Sequence, residues 1–150
     1  MTVTKIALIQ GLDLSVVVSD LARSGMDFTQ AERAVFLYRE FLAAVALHPT
    51  ATIVPTKLID MAWHAHMCRP KKYHQDCMLA FGEVIDHTPG VTGTVEYESA
   101  YAETRALASF GASMPEQPYA NDEMAGADCY RRAPQEPGEN PEDPIIRKAA

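Results

Sequence analysis

The chain has 150 residues, 47% of them hydrophobic and 22% charged, with a net charge of −7. That length matches one domain burying roughly 70% of its unfolded surface, and the composition excludes a fibrous or wholly unstructured chain. The acidic excess disfavours nucleic acid and anionic membrane as partners, because both are bound through clustered Lys and Arg.

Met1 to Gln10 carries one lysine and a short apolar run with no small-residue cleavage site after it, so a secretory leader is not expected. No apolar run reaches the ~20 residues a membrane span needs, and a cytoplasmic protein is the expectation. Cys68, Cys77 and Cys129 are odd in number and fit neither a disulfide framework nor a paired zinc motif, so they read as free thiols.

Leu12, Val16 and Leu21 recur at near-helical spacing and stop at Gly25, which predicts a first helix over residues 11–24. Thr29 with Glu32 forms a capping-box pattern. Behind it Ala31, Val35, Tyr38, Leu42 and Val45 keep a period close to 3.6 until Pro49, predicting a second helix. Val54 precedes Pro55 and is extended. Thr56 caps a third helix to about Met67, and Pro70 opens a fourth to about Asp86. Pro89, Gly90 and Gly93 mark a loop, and Tyr97, Tyr101 and Ala108 suggest a fifth helix ending near Gly111.

Six of the ten prolines follow Ala112, so the chain from there should wrap the surface irregularly or lack fixed structure. The fold expected is all-α: a compact bundle of about five helices over residues 1–118, with an irregular, acidic, Pro-rich tail over 119–150. From about Gln135 only Ile145 and Ile146 offer apolar surface, and that stretch should be mobile unless they dock.

Four of the five histidines fall within residues 60–87. On the third helix Ile59, Ala62, Trp63 and His66 share the core face, while Asp60 and His64 form an i,i+4 pair on another. His64 and His66 therefore cannot both reach one ion. On the fourth, Tyr73, Cys77, Phe81 and Val84 make the apolar face, flanked by a stripe of Asp76, Ala80, Glu83 and His87.

If the two polar stripes meet, Asp60, His64 and His87 form a candidate metal site with Asp76 or Glu83 nearby. Nitrogen and oxygen donors of this kind suit divalent Zn, Fe or Mn. His66, Tyr73 and Asp76 would orient the ligands, with Cys77 as an alternative donor that shifts preference toward softer ions. Taken singly, His66 and His74 read as structural or exposed, and Cys77 as a small buried hydrophobe. The same residues also fit a hydrogen-bond network without metal.

Tyr38-Arg39-Glu40-Phe41-Leu42, Val54-Pro55, Asp60-x-x-Trp63-His64-x-His66, Pro70-x-x-Tyr73, Cys77, Phe81-Gly82 and His87-x-Pro89 together resemble the family named after plant glycine-rich domain-containing proteins, which has short bacterial members. The resemblance spans roughly residues 27–118. It implies a shared fold and importance for Asp60, Trp63, His64, His66, Tyr73 and His87, but no reaction. With 8 glycines and no glycine-rich tail, this chain departs from the plant pattern, so functions of that tail are not expected here.

Two functions follow as expectations. One is a metal-binding helical domain, in its finer form a small metalloenzyme acting on a small-molecule substrate. The other is a non-catalytic module for a protein partner, built on a structural His/Asp network.

Overall fold

Residues 2–134 are described by a computed structural model, in which six helices surround one core and two short strands pair at one edge. The helices are α1 (Thr2–Gln10), α2 (Ser15–Arg23), α3 (Phe28–Leu47), α4 (Lys57–Met67), α5 (Pro70–Phe81) and α6 (Val95–Leu107). β1 (Thr88–Pro89) and β2 (Cys129–Tyr130) pair antiparallel, with Thr88 opposite Tyr130 and Pro89 opposite Cys129. The all-α reading holds, with one more helix than expected. Among the described residues no helix is long and apolar enough to cross a membrane.

α3 is the central helix. Its Ala31, Ala34, Val35, Tyr38, Phe41, Leu42 and Val45 are all buried, and α1, α2 and α4 pack against it. Its N-cap is Asp27, two residues before the expected Thr29. The Asp27 carboxylate accepts from the amides of Thr29 and Gln30, at 3.1 and 3.4 Å, and thereby satisfies two of the helix's orphan donors.

The expected first helix is α2, and α1 ahead of it is the additional one. α1 ends at Gln10, and α2 starts at Ser15 after Asp13 accepts from the Ser15 amide. Gly25, at φ +111°, ends α2 as expected.

Thr56 caps α4 through its hydroxyl, which accepts from the Ile59 amide at 3.1 Å, and Pro70 occupies the first turn of α5. α5 stops at Phe81, not near Asp86, because Gly82 takes φ +75°. That left-handed residue breaks the expected stripe of Asp76, Ala80, Glu83 and His87, so His87 stands on the segment leading into β1.

Beyond α6 the chain makes a 3-10 turn at Gly111–Ser113 and then crosses the molecule as an irregular strap. Its carbonyls at Glu123 and Ala125 accept from the Leu58 and Lys57 amides, both at 2.9 Å. Two unpaired N–H groups at the start of α4 are thus satisfied by a segment far away in sequence.

Further on, Ala127 donates to Pro55, Arg131 exchanges two 3.0 Å bonds with Ile53, and Asp128 accepts from the Val91 and Thr92 amides. The strap is irregular, as the proline content implied, and it is seated on the helices as far as Ala133, whose amide donates to Thr52. The expectation of mobility for the chain from Gln135 lies outside the described residues.

Candidate metal centre

Three elements deliver side chains to Asp60. α4 carries Asp60 itself and, one turn on, His64, whose Nε2 lies 3.3 Å from Asp60 Oδ2. The segment before β1 brings His87, with Nε2 3.1 Å from Asp60 Oδ1. β2 brings Cys129, whose thiol donates to the same oxygen at 3.1 Å. One ligand atom each from Asp60, His87 and Cys129 lie within 4.8 Å of one another. The antiparallel register that sets Pro89 opposite Cys129 is what brings the thiol and the imidazole to one place.

The centre is graded from inside to outside. Cys129 is buried, the His87 side chain is 10% exposed, Asp60 22% and His64 57%. Burial, followed by the adjacent Asp60 charge and the bond to it, raises the Cys129 thiol well above its ordinary value. The thiol is accordingly a proton donor to Asp60. The His87 ring meets Trp63 edge-on at 4.5 Å between centroids and His64 at 4.7 Å, so it is wedged between a core aromatic and the rim.

Trp63 is fixed in turn. Its indole N–H donates to the Tyr73 hydroxyl at 3.0 Å, and that hydroxyl donates to the Ile85 carbonyl at 2.5 Å. Tyr73 thus ties α4 to the backbone two residues before His87. This contact to the chain that carries His87 is how Tyr73 acts on the site, whereas the expectation was direct orientation of a ligand.

His66 and Asp76 belong to a separate network. The Tyr38 hydroxyl lies 2.8 Å from His66 Nδ1, and His66 Nε2 lies 2.8 Å from Asp76 Oδ2, with Lys72 Nζ 3.1 Å from that oxygen. An ionised carboxylate only accepts, so Nε2 carries the proton and Nδ1 accepts from the tyrosine. The expectation that His66 and Asp76 orient the Asp60 ligands is corrected. His66 turns to the core face with Trp63, and its partners are Tyr38 and Asp76.

Cys77 is also buried, packed beside Tyr73 with its thiol raised by burial, and the thiol that reaches Asp60 is Cys129 instead. Glu83, Asp86 and His74 are exposed and lie outside the cluster. No signal in the sequence tied Cys129 to Asp60, since the two meet only through the strap.

Burial lowers the His66 pKa from 6.5, against the upward pull of Asp76. The neutral form is therefore favoured in the fold. Its contribution to stability is complete above the unfolded value and is lost as pH falls from there through the folded value. Wild type should lose stability on mild acidification at up to ~1.4 kcal/mol per pH unit in that window. Urea midpoints of wild type and His66→Gln across neutral to mildly acidic pH check this: the extra slope should vanish in the variant.

No family model matches this chain, and neither a curated protein nor a solved structure does.

Proposed function

We propose that this is a small metal-binding helical domain in which Asp60, His87 and Cys129 hold a divalent ion and His64 stands at the rim. The carrying observation is that oxygen, nitrogen and sulfur donors from three separate elements converge within 4.8 Å. Bond lengths of ~2.0–2.3 Å around a tetrahedral ion put neighbouring ligand atoms roughly 3.3–3.8 Å apart. The two 3.1 Å contacts at Asp60 need to open only slightly to admit one.

A thiolate in the set favours zinc over manganese, and iron fits less well than for an all-imidazole and carboxylate set. Asp60, Trp63, His64 and His87, which also carry the resemblance to the glycine-rich domain-containing family, all lie in or against this cluster. In the finer form of the proposal the protein is a metalloenzyme. Three protein ligands leave a tetrahedral ion one position for a small molecule, and an ion there supplies Lewis-acid chemistry.

Protein purified without an affinity tag should retain roughly one zinc per chain, read by elemental analysis. Cobalt substitution should give the near-ultraviolet charge-transfer band of a thiolate ligand, absent in Cys129→Ser. Asp60→Ala and His87→Ala should weaken zinc by more than the roughly 10–100-fold that loss of an outer partner costs. Metal uptake unchanged in both Asp60→Ala and Cys129→Ser would overturn the proposal. His64→Ala distinguishes its two forms: retained zinc marks an open position, and lost zinc a closed structural site.

A second reading is favoured by a specific observation. Among the described residues no buried side-chain nitrogen or oxygen lacks a hydrogen-bond partner, so the cluster is satisfied as it stands. In that case the protein is a non-catalytic module for a protein partner, and chelation leaves its melting temperature unchanged. A melting temperature that falls with chelator and returns with zinc excludes it.

A further inference from the structure

Beside the proposed metal centre, residues of α2 and α4 line a groove of about 610 Å3 that opens to solvent. Its volume lies in the range of sites that bury small molecules, ~300–1,000 Å3. Leu21, Met61 and Ala65 form its apolar wall, and Asp60 and His64 stand at one end. Met61 is 49% exposed there although it is a large apolar side chain.

The other polar groups of the wall are already engaged. The Asp20 carboxylate is held by Arg69 at 2.6 and 3.0 Å and by Arg23, and the Ser24 hydroxyl donates to the Leu21 carbonyl at 2.8 Å. Little is left along the wall for a sugar or a nucleotide to hydrogen-bond. What the groove offers is an apolar track ending at the Asp60 carboxylate, itself one of the proposed donors, and the His64 imidazole beside it.

Resting on the metal centre proposed above, we infer that this groove binds the substrate, and that the substrate is an aliphatic carboxylic acid or a derivative of one. Its hydrocarbon chain lies along Leu21, Met61 and Ala65, and its oxygen head reaches the ion held at Asp60, beside His64. Burying each methylene in such a track contributes about 0.8 kcal/mol, or close to fourfold in affinity. An oxygen donor head suits the position a three-ligand zinc leaves open.

Cys68 supplies a handle for the test. It lines the same groove and is exposed, whereas Cys77 and Cys129 are buried. The intact chain is treated with N-alkyl maleimides from ethyl to hexyl, and labelling of each cysteine is followed by peptide mass spectrometry. The rate at Cys68 should climb by about two- to fourfold per methylene, and Met61→Glu should flatten that climb. A flat series in wild type, or a climb unchanged in Met61→Glu, would overturn the apolar track.

The head is tested on the same protein. An alkyl carboxylate should protect Cys68 at least ~10-fold more effectively in the zinc-loaded than in the chelated form. Equal protection in the two forms would overturn the placement of the head. The zinc content of each sample keeps the two failures apart. A chain that takes up no zinc defeats the metal centre and the head with it, while the maleimide series judges the track by itself.

Discussion

Trp63→Ala is expected to cost about 3–5 kcal/mol, the range for deleting a large aromatic from a packed core. The side chain is fully buried, its ring centroid 4.8 Å from that of Phe41 and 4.5 Å from that of His87, and its N–H is bonded to Tyr73. Truncation removes the dispersion contacts and leaves a cavity at the junction of α3, α4 and the His87 segment. Against a typical stability of about 5–15 kcal/mol, the variant should be marginal.

Because Trp63 is the sole tryptophan, the comparison is made by circular dichroism in urea. Trp63→Phe, which keeps a ring against Phe41 and His87 and loses the N–H, should fall between wild type and Trp63→Ala. A loss below about 1 kcal/mol in Trp63→Ala would contradict its place at the centre of the core. Zinc affinity should fall in the same variant, because the surface that holds the His87 ring is gone.

Gly126→Ala should be nearly as damaging for a different reason. A methyl group at Gly126 would come 2.1 Å from the Tyr97 hydroxyl and 3.0 Å from the Tyr101 ring. Neither neighbour yields easily. Tyr97 is buried with its hydroxyl donating to the Ala127 carbonyl at 2.8 Å, and Tyr101 is bonded to the Pro115 carbonyl.

Overpacking of this kind costs typically 1–3 kcal/mol, and the lost tyrosine bond adds about 1 kcal/mol. The strap would have to lift from α6, and Cys129, three residues on, would move with it. The expected signature is a lower melting temperature together with a Cys129 thiol that reacts with a water-soluble disulfide reagent. In wild type that thiol is buried and should stay unreactive. A variant as stable as wild type, with Cys129 still protected, would show that the strap has room to spare.

Helices whose boundaries are set locally were legible in the sequence. α3 follows from its apolar period, and α4 and α5 from Thr56 and Pro70 at their starts. α1 was not, because its short amphipathic pattern is weak and its helix is supported by packing on α3 and α5. The end of α5 is not legible from period alone: Ala80, Glu83 and His87 continue a helical spacing through Gly82, and a left-handed glycine overrides periodicity.

The same division runs through the site. The Asp60–His64 pair is an i,i+4 relation and could be read directly, and the separation of His66 from His64 followed from helix geometry. His87 does lie beside Asp60, but it reaches it from the segment ahead of β1 and not from a helical stripe. Cys129 reaches Asp60 through a two-residue strand and a run of single backbone bonds, none of which leaves a periodic trace in sequence.

The strap also imposes an order of events on the folding chain. Asp60 and His64 meet across four residues and His87 joins across 27, whereas Cys129 must close a loop of 69. Loop-closure entropy has to be overcome before distant contacts return anything, so helix pairs near in sequence assemble ahead of the strap. The thiol is then the last donor to arrive, docking on a helical body that already holds the carboxylate and both imidazoles.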